Sequence, residues 1–353
     1  MATIRFYNVG ISAVSACVPQ HVSYNKDLTA VFGEEEIEKT IKSVGIEEKR
    51  FADESTTASD LCCQAAERLL AENDVDRSTI DVLLFLSQLP DYRIPATSPI
   101  LQKRLGLPTT TACMDLSLGC SGWVYALSAA MSYASMDGVR RVLLLDGETF
   151  SKMVSQRDKV DAPLYGDAGT ATLVEKMPGQ EAVFYLYSDG SGEDSVKIKA
   201  GAGRYPATPE NLMETVHEDG KVFSDNQVFM DGMDVFNFVL RCVPKSIKTL
   251  VSENGIELKD VSCLLLHQAN KFMTDFVAKR LKFPLEKVPY SLTKFGNTSS
   301  ASIPLTISSE LAGKDDLKNV IISGFGAGLS WATAYLSLEN CKITKVFDYN
   351  SQC

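Results

Sequence analysis

The segment TIDVLLFLSQ, residues 79–88, decides the fold class because its apolar run is continuous. Such a run is typical of a strand whose sheet is covered on both faces. A helical pattern, SPILQKRLGL (98–107), follows it, and two further strand-like runs come later, RRVLLLDGE (140–148) and GTATLVEK (169–176). Strands that alternate with helices predict an α/β fold with a largely parallel sheet.

The second half of the chain repeats this order of motifs. DVSCLLLHQA (260–269) resembles the opening segment, and KNVIISGFG (318–326) resembles RRVLLLDGE. The separations are nearly constant: 181 residues for Leu83 and Leu264, 178 for Val142 and Val320, and 177 for Cys120 and Asn297. The repeat predicts two pseudo-symmetric halves, residues 1–177 and 178–353, joined near Pro178 and Gly179, which interrupt the pattern.

The composition limits the classes of function. With 45% hydrophobic residues in 353, the chain can bury a sizeable core, and its net charge of −10 argues against nucleic-acid binding. Nine cysteines without paired CxxC spacing predict neither disulfides nor a metal site, which favours a cytoplasmic location. No run of 18 apolar residues predicts membrane insertion, and the N-terminal segment predicts a strand instead of a signal peptide. We predict no cofactor.

Cys120 is the first candidate for chemistry. In DLSLGCSGWVYALSAA (115–130) it lies between Gly119 and Gly122, where a loop precedes a predicted helix. Unpaired N–H groups and the helix dipole favour an anion there, so we expect a lowered thiol pKa and a nucleophilic thiolate. Free cysteine is more often a buried packing residue, and this position alone also fits that role.

Two polar residues in the second half are candidates to meet Cys120. His267 ends the apolar strand CLLL, and Asn297 lies in the turn GNTSS (296–300). Because pseudo-symmetric halves place equivalent loops face to face, we expect the three side chains to converge. Each residue also fits a structural role, the histidine at a strand end and the asparagine as a turn former or helix N-cap.

Together, these motifs resemble the thiolase superfamily, most closely condensing enzymes of the β-ketoacyl-acyl carrier protein synthase III type. The resemblance runs nearly end to end, through GISAVSACVPQHVSYNKDL (10–28), SVGIEEKRFADE (43–54), LGCSGWVYAL (118–127), LYGDAGTATLV (164–174), LLHQAN (265–270), FGNTSSAS (295–302) and GFGAGLSWATAYL (324–336). It implies a five-layered αβαβα fold made of two related halves, a homodimer, and an acyltransferase.

The resemblance also implies the catalytic residues Cys120, His267 and Asn297. Elongating condensing enzymes carry a second histidine at the asparagine position, and degradative thiolases carry a second cysteine that GFGAGLS lacks. The implied reaction acylates Cys120 from a thioester, with the backbone N–H groups of Cys120 and Ala327 as the oxyanion hole. His267 and Asn297 then stabilise the enolate that forms when a malonyl thioester loses CO2, and condensation gives a β-ketoacyl thioester.

Two other functions fit the same motifs. One is transfer of the acyl group from Cys120 to an alcohol or amine acceptor in a secondary-metabolite or surface-glycan pathway. The other is a non-catalytic, dimeric acyl-binding scaffold. The presence of Cys120, His267 and Asn297 together argues against the scaffold.

The substrate-binding region departs from the family pattern. Lys39 stands near a tryptophan position and Lys159 near an arginine position, while Phe272 follows Lys271 where the family often has arginine. Arg157 is a candidate to compensate. Loss of a stacking aromatic and of a bidentate phosphate ligand favours acyl carrier protein over coenzyme A as the thioester partner.

The remaining candidates concern partners. The carrier protein is acidic, and the resemblance places carrier-docking residues at Lys279 and Arg280; with Lys271 they form the predicted docking site, although an ordinary solvated helix face fits as well. Ile94 takes the position from which a bulky residue of the other subunit reaches the acyl pocket in this family, and dimer packing is its alternative role.

Overall fold

The structure, a computed structural model, describes residues 2–351. Its strands are β1 (Ala2–Val18), β2 (His21–Tyr24), β3 (Glu48–Phe51), β4 (Ile80–Leu86), β5 (Ala112–Leu116), β6 (Arg141–Glu148), β7 (Ala168–Ser188), β8 (Val196–Lys197), β9 (Thr215–Val216), β10 (Val222–Phe223), β11 (Phe229–Met230), β12 (Cys263–Leu266), β13 (Val320–Gly326), β14 (Ser330–Leu336), β15 (Lys342–Ile343) and β16 (Phe347–Asp348). Its helices are α1 (Thr29–Phe32), α2 (Glu34–Val44), α3 (Ala58–Glu72), α4 (Thr97–Arg104), α5 (Gly122–Ser135), α6 (Gly232–Glu253), α7 (Lys271–Leu281), α8 (Leu292–Phe295) and α9 (Ser302–Thr306).

One sheet runs through both halves in the order β12-β13-β14-β7-β6-β4-β5, and β1 pairs along β7. In the first half β4 and β6 are parallel and β6 and β7 antiparallel; β12, β13 and β14 repeat these directions in the second. Val82 pairs with Val142, and Cys263 pairs with Val320. These are the positions that the predicted offsets relate, so the strand pairing supports the repeat.

The sheet is mixed, which corrects the prediction of a largely parallel one. Alternate residues of β4 face two different cores: Val82 and Leu84 contact the core around α5, and Leu83 and Phe85 contact the core around α3 and α4. In β12 the alternation places Leu265 in the core around α5 and Leu264 in the core of α6 and α7. Burial of both faces, and not strand direction, explains the continuous apolar runs.

These cores define five layers. Helices α3 and α4 cover the strands of the first half, and α6 and α7 cover those of the second. Helices α5 and α9 lie between the two sets of strands. The predicted αβαβα fold is confirmed.

The join between the halves lies inside β7. This strand continues through Pro178 and Gly179, while its register with β1 shifts next to Asn8. Asn8 and Gly179 both have positive φ angles, and the Asn8 side chain accepts a 2.8 Å hydrogen bond from the Gly179 N–H. The expected break is therefore a bulge in a continuous strand, and the division at 177/178 stays a prediction.

Other expectations from composition concern absent features. Within residues 2–351, no helix combines the length and the apolar composition needed to cross a membrane. The same residues contain no group of three or more metal-binding side chains. Eight cysteines are free thiols, and Cys353 lies outside the described residues.

Candidate active site

Cys120 lies in the turn between β5 and α5, directly before Ser121, the N-cap of that helix. The predicted position at a helix N-terminus is confirmed. Glycines of the second half approach it closely: a Cβ atom on Gly326 would lie 2.8 Å from the Cys120 sulfur, and one on Gly324 would lie 2.9 Å from Ser121 Cα. The end of β13 therefore packs directly against the nucleophile loop.

The expected lowering of the Cys120 pKa is wrong. Burial raises the pKa of the thiol, and the nearby Glu148 carboxyl acts in the same direction. The Ser299 hydroxyl and the backbone N–H groups of Ala327 and Cys120 favour the thiolate without overcoming burial. Desolvation outweighs the helix terminus in the free protein, so Cys120 needs a proton acceptor when it reacts.

His267 directly follows β12 and is held by its backbone N–H, which bonds the Ser323 carbonyl at 2.9 Å. The ring is buried and edge-on to Phe325, with centroids 5.5 Å apart. Burial lowers the pKa of His267 to about 3, opposed by a hydrogen bond with the Ser299 backbone. The imidazole is therefore neutral at physiological pH.

The Ser302 hydroxyl selects the tautomer of this ring. It lies 2.8 Å from Nδ1 of His267 and accepts the N–H of Gln268 at 3.4 Å. A hydroxyl that accepts from Gln268 can donate its own proton to Nδ1. This arrangement favours the proton on Nε2, where it is a hydrogen-bond donor to a ligand.

Asn297 is fixed on both sides by backbone hydrogen bonds to the 164–166 segment. Its N–H donates to Leu164 O at 2.8 Å, and its carbonyl accepts from Gly166 N at 3.1 Å. Its side-chain Oδ1 accepts the Ser299 N–H at 2.9 Å, whereas α9 has Ala301 as its N-cap. Asn297 is thus a turn former, and its Nδ2 amide group is the part available to a ligand.

Ser299 links the three candidate residues. Its hydroxyl lies 4.0 Å from the Cys120 sulfur, its N–H bonds Asn297, and its backbone bonds the imidazole of His267. Its φ angle of 52° is unusual for serine and marks a tightly constrained turn. The predicted convergence of Cys120, His267 and Asn297 is observed around this residue.

Ala327 follows β13 and is tied to the nucleophile loop. Its carbonyl accepts the Ser330 hydroxyl at 2.8 Å, and the Ser330 and Ser121 hydroxyl groups are 2.7 Å apart. The Ala327 N–H is close enough to the Cys120 sulfur to favour its thiolate. Two backbone N–H groups, those of Ala327 and Cys120, therefore lie where an oxyanion would form.

Gly326→Ala is expected to impair acylation of Cys120 by at least about 100-fold, because 1 Å of misplacement costs about that much in a positioned site. The added Cβ would overlap Cys120. Gly203→Ala is the matched control, since its Cβ would meet no atom within 4 Å. The rate of Cys120 acylation is measured by intact-protein mass; equal rates in both variants would show that β13 does not constrain the thiol.

The comparisons with known proteins bear on the family. The family described as 3-oxoacyl-[acyl-carrier-protein (ACP)] synthase III matches residues 114–190, and its C-terminal region matches residues 251–338. A β-ketoacyl-[acyl-carrier-protein] synthase III of Rhodopirellula baltica is 32% identical, over 92% of this chain and 97% of the relative. One of Streptococcus pneumoniae is also 32% identical, over 93% of this chain and 98% of the relative.

The chain belongs to the β-ketoacyl-acyl carrier protein synthase III family. The predicted family and the enzyme class, acyltransferase, are confirmed by this membership.

Solved structures agree with this family assignment. The 3-oxoacyl-(acyl-carrier protein) synthase from Burkholderia xenovorans is 36% identical and covers 98% of this chain and 99% of its own, with a TM-score of 0.92. A priming β-ketosynthase from the R1128 polyketide pathway is 25% identical, over 94% of this chain and 97% of its own, with a TM-score of 0.79. The synthase III fold thus spans nearly the whole chain.

Ile94 lies outside the cluster around Cys120. It is 89% exposed, in the loop that precedes α4. The nearby strand β5 is an edge of the sheet and exposes Met114. An isoleucine this exposed is available to another protein surface, which keeps the predicted subunit contact open.

The predicted docking residues differ in their surroundings. Lys271 forms an ion pair with Asp275 at 2.9 Å, so its charge is partly compensated. Lys279 and Arg280 are exposed, and neither forms an ion pair with any residue between 2 and 351. Three cations of α6 that also lack an ion pair in this part of the chain lie nearby, and they line a groove with Arg280: Arg241, Lys245 and Lys248.

The predicted coenzyme A region is less complete. Lys39 pairs with Glu35 at 2.7 Å, and Arg157 lies 3.4 Å from Glu214, whereas Lys159 is exposed. Phe272 is 56% exposed and stacks on Phe236, with ring centroids 5.5 Å apart. Within the described residues, no hydrogen bond or ion pair joins these side chains into one phosphate site.

The sequence reasoning missed a buried lysine beside the site. The Lys49 ammonium donates to the side-chain oxygen of Asn25 and, at 2.9 Å, to the Ala162 carbonyl. Its stem packs against Gly296, where a Cβ would lie 2.9 Å from Lys49 Cγ. Burial lowers the pKa of Lys49 to about 7. A lysine in a polar motif carries no sequence signal for such burial.

Proposed function

We propose that this protein is a decarboxylating condensing enzyme that joins an acyl group on Cys120 to a malonyl thioester. The observation that carries the proposal is the meeting of a neutral imidazole and a side-chain amide with a thiol at Ser299. Both groups supply hydrogen-bond donors without negative charge. An enolate that develops beside Cys120 would be stabilised by such donors.

The first step acylates the thiol. Cys120 gives up its proton, and its sulfur attacks the carbonyl carbon of an acyl thioester. The N–H groups of Cys120 and Ala327 hold the oxyanion of the tetrahedral intermediate. When the intermediate collapses, the bond to the donor sulfur breaks, the donor leaves as a thiol, and Cys120 carries the acyl group as a thioester.

The second step forms the carbon–carbon bond. A malonyl thioester loses CO2, and the electron pair of the broken bond becomes an enolate. Nε2–H of His267 and Nδ2–H of Asn297 donate to its oxygen. The enolate carbon attacks the Cys120 thioester, the carbon–sulfur bond breaks, and the β-ketoacyl thioester leaves with the malonyl carrier.

We also propose that the active unit is a homodimer in the cytoplasm. The exposed edge strand β5 and the exposed Ile94 fit a contact between two copies, with Ile94 reaching the partner's acyl pocket. The relatives are named for synthesis on acyl carrier protein, which favours fatty acid biosynthesis as the pathway. The crowded coenzyme A region supports carrier protein as the main thioester partner.

Carrier docking is assigned to Lys279 and Arg280, with weaker support from Lys271. Cations without local partners on a chain of net charge −10 make this face suited to an acidic protein. The double substitution Lys279→Glu/Arg280→Glu is expected to raise KM for malonyl-carrier about 10- to 100-fold at low salt, with cysteine alkylation unchanged.

The control for docking is Lys314→Glu/Lys318→Glu. These lysines are exposed, and Lys314 lies near Cys263, at the opposite end of β12 from His267. The control changes the net charge equally and should leave KM within about twofold. KM is measured at several salt concentrations, because screening should shrink the difference. Equal KM values for the two double variants would remove the docking assignment.

One experiment separates condensation from transfer to another acceptor. Enzyme acylated on Cys120 is divided between malonyl-carrier, a set of alcohols and amines, and buffer. Condensation predicts loss of the acyl mass only with malonyl-carrier, together with release of CO2. Loss of the acyl group to an alcohol or amine, without CO2 release under any malonyl supply, would defeat the proposal.

A further inference from the structure

Strand β6 ends with two buried acids that the steps above do not use. Val142 and Leu144 of β6 face the core around α5, and the alternation places Asp146 and Glu148 on the same face. Both carboxyl groups are fully buried. Apolar residues would continue this pattern at lower cost, so the acids need an explanation.

Asp146 bonds directly to the turn that carries Asn297. The Ser300 hydroxyl donates to its Oδ1 at 2.6 Å, whereas Oδ2 is buried without a hydrogen-bond partner among the described residues. Its neighbours in the sheet, Leu86 on β4 and Thr170 on β7, carry no charge. The titratable groups around it are Glu148 on the same strand and the Cys62 thiol on α3, and the Cys120 thiol lies near Glu148.

No cation balances this carboxyl group. Burial raises the pKa of Asp146 to about 8, and the Ser300 bond opposes that rise. A buried, unpaired carboxylate is costly, so the neutral acid is the form that this site accommodates at pH 7. A neutral Asp146 keeps negative charge away from the floor of the site.

Ser300 connects Asp146 to the reacting groups. It follows Ser299, which contacts Cys120, and its Cβ lies 3.3 Å from the Cβ position of Gly122 at the start of α5. The unusual φ of Ser299 persists only where the surroundings fix it. The Asp146–Ser300 hydrogen bond supplies such a restraint from the sheet.

We propose that Asp146, as a neutral acid held by Ser300, is a positioning residue for the Asn297–Ser300 turn, and that loss of its proton suppresses decarboxylation. This inference rests on the proposed condensing function. An ionised Asp146 places a negative charge behind the donors of the enolate and opposes the charge that develops there. Nothing in this role requires Asp146 to contact the substrate.

The test uses enzyme already acylated on Cys120, so that the thiol no longer titrates. Single-turnover CO2 release from saturating malonyl-carrier is measured between pH 6 and 9.5 for the wild type, Asp146→Asn and Glu148→Gln. Wild type should lose about tenfold in rate per pH unit above a pH near 8, as expected for one ionisation. Asp146→Asn keeps an oxygen for Ser300 and should hold its rate, whereas Glu148→Gln should retain the wild-type decline.

A second variant guards against a simple folding effect. Ser300→Ala keeps Asp146 but removes the tether, and should slow CO2 release about tenfold at pH 7 while acylation stays within twofold, as expected for a lost restraint in a positioned site. A wild-type alkaline decline in Asp146→Asn, or wild-type CO2 release in Ser300→Ala, would overturn the inference alone. Absence of CO2 release from the wild type at every pH would instead overturn the proposed function and, with it, this inference.

Discussion

Cys120→Ala should abolish covalent acylation and lower turnover by more than about 10⁴-fold, as loss of a nucleophile does in comparable acyl-transfer enzymes. The reason is chemical: alanine has no atom that can hold the acyl group. Incubation with an acyl thioester followed by intact-protein mass measurement should show the added acyl mass in the wild type and no added mass in the variant.

The matched control is Cys242→Ala, which removes a partly buried free thiol on α6, away from the turn that carries Cys120. This variant should acylate at the wild-type rate. The acyl mass should then map by peptide analysis to Cys120. An acyl adduct that persists in Cys120→Ala on another residue would show that the nucleophile is misassigned.

Asn297→Ala should separate the two chemical steps. Acylation should stay within about threefold of wild type, whereas CO2 release from the acylated enzyme should fall about 10²- to 10³-fold, the usual cost of one oxyanion-type donor. The amide Nδ2 donates only when the enolate forms, so its loss affects the second step. Stopped time courses of acyl mass and of CO2 measure both rates in one preparation.

Because Asn297 Oδ1 also accepts the Ser299 N–H, alanine removes a turn contact as well as a donor. Asn297→Asp is the sharper variant, since it keeps an acceptor for Ser299 while removing Nδ2 and adding negative charge. It should suppress CO2 release at least as strongly as alanine. Wild-type CO2 release in Asn297→Asp, or an equal loss of acylation in both variants, would contradict the assigned role.

Much of the architecture could be predicted because burial leaves a direct mark on sequence. The apolar runs of β4 and β12 reflect their two covered faces, and the offsets from Val82 to Cys263 and from Val142 to Val320 connect paired residues in the sheet. Strand direction leaves no comparable mark, which explains why the sheet was expected to be largely parallel. Pro178 and Gly179 predict a break equally well for a linker and for a strand bulge.

The site could be predicted in part. Cys120, His267 and Asn297 lie at loop positions that the repeat relates, and their motifs are long enough to identify. The Cys120 pKa could not be predicted, because it depends on how deeply the second half buries the thiol. Ser299 was missed for a related reason, since its role arises from a turn whose φ angle the sequence does not reveal.

The central claim is that an acyl group on Cys120 becomes part of a longer chain at the expense of a malonyl carboxyl group. The most direct measurement follows wild-type enzyme, pre-acylated and freed of donor, after addition of malonyl-carrier labelled with ¹³C in the free carboxyl group. We expect one labelled CO2 for each acyl group lost from Cys120, with a β-ketoacyl-carrier product. Loss of the acyl group without labelled CO2, or CO2 release that leaves the acyl group on Cys120, would contradict this mechanism.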